Sequence, residues 1–279
     1  MTRLINFPTD IGVAKLADIK HFALDLDGTL YLGSRLFEWT HPFLKALRER
    51  NIGRTFFTNN SSRSTAQYVQ KLQAMGIDAT ENEIYSSTHC TMDFLREVHP
   101  QIKKLYVLGT PALREEFAGH GFALHGDDPH DEPDAVVVGF DTTLVYDRLC
   151  RAAWWISRGK KFFATHPDRT CPTDQPTVLV DCGAMCAMLE SATGRAPDAV
   201  LGKPDPRMLR GVMQRHHLQA NQIAVVGDRL YTDIAMAHSA GALGILVLSG
   251  EANAEDAAHA NPKPHLVVAN VGEILSLLP

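Results

Sequence analysis

Short apolar runs alternate with amphipathic stretches along nearly the whole chain, and this alternation limits the fold more than any other feature. The runs fall at 21–26, 53–58, 103–108, 134–139, 160–165, 177–181, 222–227, 243–248 and 265–268. Between them, apolar residues recur at helical spacing over 41–50, 64–75, 111–119, 142–158, 184–193, 205–217 and 231–240. Such alternation predicts an α/β fold in which parallel strands are joined by crossover helices. The runs are continuous rather than polar–apolar in alternation, as expected for strands covered on both faces.

Open parallel sheets bind ligands beyond the carboxyl ends of their strands, so the residues just after each run carry the functional information. The first run leads into Asp25-Leu26-Asp27-Gly28-Thr29. In an extended segment Asp25 and Asp27 point to the same side, and two such carboxylates repel unless a proton or a cation intervenes. A turn capped by aspartate explains one of them and not both. The second run ends in Thr58-Asn59-Asn60-Ser61-Ser62-Arg63, a set of groups able to donate to phosphate oxygens. The same loop reads equally as a helix start capped by Ser62 or Ser64. Lys203 follows the short stretch Ala199-Val200-Leu201, and Asp228 and Asp233 follow the run ending at 227. Oxygens from the Asp25/Asp27 pair and the Asp228/Asp233 pair suit a hard divalent cation, magnesium foremost. A phosphoryl group would then sit between that cation, Thr58, Asn59 and Lys203.

The 279 residues suffice for one large domain or two modest ones. A formal net charge of −5 argues against a nucleic-acid polymer as partner, because that role needs a basic surface. No run approaches the ~20 apolar residues of a membrane span, and residues 1–20 lack the apolar core of a signal peptide, so a cytoplasmic location is expected. The cysteines, Cys90, Cys150, Cys171, Cys182 and Cys186, show no zinc-ligand spacing and read as reduced thiols. The acidic stretch 126–134 reads as a solvated turn, with a metal site as the alternative. No Gly-x-Gly-x-x-Gly opens a helix and no P-loop is present, which argues against dinucleotide binding.

With DLDGTL at 25–30, TNN at 58–60, GKPDP at 202–206 and GDRLYTDI at 227–234, in this order, the chain resembles the haloacid dehalogenase superfamily of hydrolases. The stretches 180–206 and 245–250 are similar to its p-nitrophenylphosphatase and NagD-like group, whose members carry a type IIA cap. The resemblance implies a Rossmann-like core with a parallel sheet, discontinuous over 1–86 and 188–279, and an inserted α/β type II cap domain over 87–187 that controls substrate access.

It further implies a magnesium-dependent phosphatase acting on small phosphorylated metabolites: nucleotides, sugar phosphates, pyridoxal phosphate or phosphoglycolate. Asp25 would be the nucleophile that forms an aspartyl-phosphate, and Asp27 the general acid and then base. Magnesium would be held by the Asp25 and Asp228 carboxylates and the Asp27 carbonyl, with Asp233 behind them. Thr58, Asn59, Asn60 and Lys203 would bind the phosphoryl oxygens. His166 and Asp168, in the cap loop 162–173, and Arg63 are expected at the leaving group, the other reading of His166 being a loop residue that caps backbone groups. Arg229 either reaches substrate or faces solvent. A homodimer through the cap is also implied. A phosphomutase on the same core and a non-catalytic metabolite-binding protein are the alternatives; the second is disfavoured because Asp25, Asp27, Lys203 and Asp228 are all present.

Overall fold

The structure is a computed structural model and describes residues 16–125, 128–173 and 175–278. Most of the N-terminal segment 1–20, and Gly126 and Asp127 of the acidic stretch, lie outside the described residues. Along the chain the sheet strands are β1 (His21–Leu24), β2 (Gly53–Thr58), β3 (Ile84–Ser86), β4 (Lys104–Leu108), β5 (Ala123–Leu124), β6 (Ala135–Val138), β7 (Lys161–Ala164), β8 (Ala199–Val200), β9 (Ile223–Gly227), β10 (Leu243–Val247) and β11 (Leu266–Val268). The helices are α1 (Thr40–Glu49), α2 (Thr65–Ala74), α3 (Ser87–Val98), α4 (Pro111–Gly119), α5 (Tyr146–Ser157), α6 (Cys182–Thr193), α7 (Pro206–His216), α8 (Ala235–Ala240), α9 (Ala254–His259) and α10 (Val271–Ile274). Two small hairpins pair Tyr31–Leu32 with Arg35–Leu36 and Thr170–Cys171 with Leu179–Val180.

The strands form a six-stranded sheet, order β11-β10-β9-β1-β2-β3, and a five-stranded sheet, order β8-β7-β6-β4-β5. In the first, β1 runs parallel to both β2 and β9, with Leu24 opposite Phe56 and Val226. In the second, β6 runs parallel to β4 and β7, and β8 parallel to β7. Every residue of β1, β6, β9 and β10 is buried, as the unbroken apolar runs require of strands covered on both faces. Each buried Phe, Leu, Ile or Val side chain contributes roughly 1.5–3 kcal/mol through removal from water.

The chain divides into two compact units, one comprising Met1–Phe57, Ala74–Ile84 and Pro204–Pro279, the other Thr58–Gln73 and Tyr85–Lys203. In the first, the end of the six-stranded sheet is filled by Ile234, Leu246, Ala252 and Ala257. In the second, Tyr106, Val136, Val138 and Phe162 of the five-stranded sheet pack with Trp155 of α5 and Met185 and Leu189 of α6.

Helix boundaries follow local chemistry. Ser64 precedes α2, and its hydroxyl accepts from the Gln67 backbone N–H at 3.2 Å, so of the two serines weighed as caps it is Ser64 that serves. Thr110 caps α4 ahead of Pro111, Asp181 caps α6, and Asp205 caps α7 ahead of Pro206. Helix α6 stops at Gly194, whose φ of 71° suits a residue without a Cβ. Among the described residues no helix is long and apolar enough to cross a membrane. All five cysteines are free thiols.

Candidate active site

Strand β1 stops at Leu24, two residues short of the apolar run, and the chain turns at once. The backbone N–H groups of Thr29 and Leu30 donate to the Leu26 carbonyl, and Gly28 N–H donates to the Tyr31 carbonyl at 2.8 Å. Gly28 has φ 84°, a conformation that glycine adopts without strain. Asp25 therefore stays in line with the strand, its N–H bonded to the Val226 carbonyl of β9, while Asp27 lies in the turn. Asp25 is 9% exposed and its Oδ2 accepts from Thr29 Oγ1 at 3.3 Å. Asp27 is half-buried, and its Oδ1 accepts from Gly33 N–H at 3.1 Å. The two acids thus have different surroundings: one is buried at the strand end, the other is held in a loop.

Asp228, 4% exposed, follows β9 and belongs to the same unit. Its Oδ2 accepts from Glu251 N–H at 2.8 Å. A Cβ at Gly28 would stand 2.3 Å from that oxygen, and a Cβ at Gly250 2.0 Å from it. The carboxylate is thus seated in space that two missing side chains leave open. Ser249 Oγ donates to the Gly28 carbonyl at 2.7 Å and ties the two glycine loops together. Asp233 is 1% exposed, on a wide helical turn over Leu230–Ile234, and accepts from Thr232 Oγ1 at 3.1 Å. A Cβ at Gly227 would lie 2.2 Å from the Asp233 carboxyl carbon, so Asp233 packs against the end of β9 directly before Asp228.

Arg229 does not simply face solvent. Its Nε donates to Glu251 Oε2 at 2.9 Å. Burial disfavours its charge, but Tyr231 and the carboxylates of Asp25, Glu251 and Asp228 outweigh that and raise its pKa. The guanidinium therefore lies in the negative field of Asp25 and Asp228.

In the second unit, Thr58 and Asn59 are buried at the end of β2. The Thr58 hydroxyl accepts from Asn60 N–H at 3.2 Å. The Asn59 side chain grips the main chain of Lys203: its Oδ1 accepts from Lys203 N at 2.6 Å, and its Nδ2 donates to the Lys203 carbonyl at 2.9 Å. Nδ2 also lies 3.1 Å from Asp168 Oδ2. Both ends of the amide are engaged, so Asn59 acts in this structure as a clamp on Lys203, which differs from the direct phosphoryl contact expected from the sequence. Asn60 turns its Oδ1 to Ser62 N–H and Oγ within the loop, and its Nδ2 towards Cys171 Sγ of the Thr170–Cys171 hairpin. Lys203 is 3% exposed, and Arg63 is exposed.

His166 departs furthest from expectation. It is fully buried, with Nε2 2.8 Å from Asp181 Oδ1 and Nδ1 2.9 Å from Thr165 Oγ1. In this structure both ring nitrogens are engaged within the protein and the ring has no exposed surface. The other reading, a loop histidine that caps backbone groups, does not describe it either, because both of its partners are side chains. Burial works against its charge, but the Cys182 sulfur, the hydrogen bond to Asp181 and the Asp181 and Asp168 carboxylates outweigh burial and push its pKa up to about 9. Asp181 and Thr165 were not legible as partners, because nothing in their spacing marks them.

Two further groups place side-chain donors within 4.8 Å of one another: His166, Asp168 and Asp181, and His89, Glu116 and His120. In the second, His89 Nδ1 accepts from Ser86 N–H at 3.2 Å, so its proton sits on Nε2, which leaves that nitrogen no lone pair for a metal. Glu116 accepts from Thr65 N–H and Oγ1 and so caps the start of α2. The acidic stretch 126–134 is structural among its described residues. Asp131 pairs with Lys104, Asp134 accepts from the N–H groups of Lys103 and Lys104, and Asp128 accepts from His130 N–H.

Comparison with known proteins follows the same lines. Residues 22–123 match the haloacid dehalogenase-like hydrolase family and residues 200–274 its HAD-hydrolase-like family. The chain is 31% identical over 256 residues to the ribonucleotide monophosphatase NagD of Escherichia coli K12, covering 92% of this chain and 98% of that one. It superposes on a 4-nitrophenylphosphatase of Thermotoga maritima with TM-score 0.89 and 38% identity, over 95% of this chain and 99% of the other. It is also similar to a glycerol phosphate phosphatase of Mycobacterium tuberculosis solved in complex with magnesium, with TM-score 0.86 and 32% identity, over 95% and 79% of the two chains. With its four motifs and this full-length likeness, the chain belongs to the NagD and 4-nitrophenylphosphatase group of the haloacid dehalogenase-like hydrolases.

Proposed function

We propose that this protein is a magnesium-dependent phosphatase that hydrolyses small phosphomonoesters through an aspartyl-phosphate. The observation that carries the reading is the division of labour between Asp25 and Asp27, one buried at the strand end and the other bonded in the adjoining turn. A buried carboxylate fixed by the strand is a positioned nucleophile. A half-buried acid two residues on can exchange its proton with the reacting groups.

The donor set suits magnesium. Asp25 and Asp228 are hard-oxygen ligands, both nearly buried, and a carbonyl at Asp27 completes the protein's share. When bound, magnesium offsets the phosphate charge that would otherwise repel the attacking carboxylate.

In the first half-reaction an Asp25 carboxylate oxygen bonds to phosphorus. The bond from phosphorus to the leaving oxygen breaks, and Asp27 gives its proton to that oxygen. In the second, Asp27 takes a proton from water as the water oxygen attacks phosphorus, which frees inorganic phosphate and restores Asp25. Lys203, held by Asn59, supplies positive charge to the phosphoryl oxygens. Asp233 supports the Asp228 segment from behind. Residues 87–187 act as a cap that controls access, and Asp168 and Arg63 are the candidates for leaving-group contact. The relatives named above act on a ribonucleotide, 4-nitrophenyl phosphate and glycerol phosphate, which supports a small phosphorylated metabolite as substrate class.

The test is phosphate release from p-nitrophenyl phosphate with and without magnesium, followed by a panel of nucleoside monophosphates, sugar phosphates, glycerol phosphate, pyridoxal phosphate and phosphoglycolate. Release should require the cation and vanish in Asp25→Asn; full activity in that variant would sink the mechanism.

A further inference from the structure

Asp181 is the N-cap of α6 and is 2% exposed. Its Oδ1 accepts from Cys182 N–H at 2.6 Å and from His166 Nε2 at 2.8 Å. Capping needs only one neutral acceptor, and asparagine, serine or threonine would serve as well. A buried carboxylate against a buried imidazole is costly to desolvate and is weak evidence for stability. Helix capping therefore leaves the pair unexplained.

What the pair holds is the segment 164–168, and that segment meets the chain entering Lys203 at three points. Leu201 N–H donates to the Ala164 carbonyl at 2.9 Å. Gly202, with φ 71°, passes so close that a Cβ there would lie 2.8 Å from the Thr165 carbonyl oxygen and 2.9 Å from His166 Cβ. Asp168 accepts from Asn59 Nδ2, and the same amide bonds both main-chain groups of Lys203. His166 is thus one wall of the slot through which the chain reaches Lys203. The segment is pinned in turn to α6: Gly183 N–H donates to the Asp168 carbonyl at 2.7 Å, and Asp181 N–H to the Arg169 carbonyl at 2.9 Å. The ring can donate from both nitrogens, to Asp181 and to the Thr165 hydroxyl, which fixes its plane.

We infer that the buried His166–Asp181 pair is a positioning device for Lys203, setting the mould of residues 164–168 that fixes where Gly202 and Lys203 run. Neither residue touches substrate. The inference rests on the proposed role of Lys203 at the phosphoryl group. Displacement of a catalytic cation by about 1 Å is enough to cost ~100-fold in rate, so a small shift of this mould suffices.

The experiment is a double-mutant cycle between Asp181→Asn and Lys203→Ala, read with p-nitrophenyl phosphate and with inorganic phosphate as inhibitor. Asp181→Asn retains an oxygen for Cys182 N–H and so spares the helix cap. It should lower kcat about 10- to 100-fold for every leaving group, and weaken inhibition by phosphate, while circular dichroism stays that of the native fold. In the Lys203→Ala background the same change should alter kcat less than about twofold, because the group it positions is gone. Equal losses in both backgrounds, or an unchanged kcat and phosphate inhibition in Asp181→Asn alone, would overturn the inference. Wild-type activity in Lys203→Ala would overturn the reading of Lys203 and this inference with it, whereas a dead Lys203→Ala beside a normal Asp181→Asn defeats the inference only. Should Asp181→Asn fail to fold, His166→Gln keeps a side-chain N–H donor for Asp181 Oδ1 but removes the rigid ring that walls the path of Gly202. It should show the same non-additivity with a loss of roughly three- to tenfold; an additive result, or a loss that changes with the leaving group, counts against the inference.

Discussion

The rings of His21 and His216 lie 4.4 Å apart, tilted by 35°, with the Thr55 hydroxyl 2.8 Å from one Nε2 and 3.3 Å from the other. Burial, and then the proximity of His216, lowers the pKa of His21 to about 3. Burial, Arg215 and His217 lower that of His216. The unfolded chain, with a histidine value near 6.5, binds these protons first. Stability is therefore full above pH ~6.5 and is lost as pH falls from there towards 3. Between pH 7 and pH 5 the His21 term alone amounts to roughly 2 kcal/mol. Urea titrations across this range should show the loss, and His21→Gln should flatten most of the slope.

The Asn59 clamp predicts an order among substitutions. Asn59→Asp places a carboxylate oxygen where Nδ2 now faces the Lys203 carbonyl and Asp168, so three acceptors would crowd one point. Asn59→Ala only removes the clamp. Both should reduce kcat, the aspartate variant by more than about 100-fold and the alanine variant by less; steady-state rates on p-nitrophenyl phosphate decide the order.

Gly250→Ala tests the seat of Asp228. A Cβ there meets Asp228 Oδ2 at 2.0 Å and must displace the carboxylate. The magnesium concentration for half-maximal rate should rise about tenfold or more, with thermal stability reduced by about 1–3 kcal/mol from overpacking.

Asp27→Asn separates the two half-reactions. The amide cannot supply a proton to the leaving oxygen, so alkyl phosphates should react at least ~100-fold more slowly. The p-nitrophenolate leaving group needs little protonation, and the second step still needs a base. Rapid-quench experiments with p-nitrophenyl phosphate should then show phosphorylated protein accumulating in the variant and not in the wild type.

The strands with both faces covered were legible because burial leaves a continuous apolar run: 53–58 coincides with β2, and 103–108 and 222–227 differ from β4 and β9 by one residue. Strands β3, β5 and β8 have only two or three residues, too few for any period to show. Helix α3 escaped notice because its first turns bury Ser87, Thr88, His89, Cys90 and Thr91, whose polar groups are satisfied by hydrogen bonds such as Ser87 Oγ to the Asn59 carbonyl. In the candidate site, motif residues gave identity and order. The direction of each side chain was not legible, since Asn59 turns to Lys203 and His166 to Asp181 through contacts more than a dozen residues apart in sequence.

The seat of Asp228 also bears on how this protein can change. Because its carboxylate occupies the space of two absent side chains, replacing Gly28 or Gly250 by a larger residue while Asp228 stays forces a collision. Shortening Asp228 first would remove a carboxylate from the acidic cluster before either glycine could use the room. The three positions are therefore coupled: a change at either glycine is felt first at the Asp228 carboxylate, and is tolerated only as far as that carboxylate can shift.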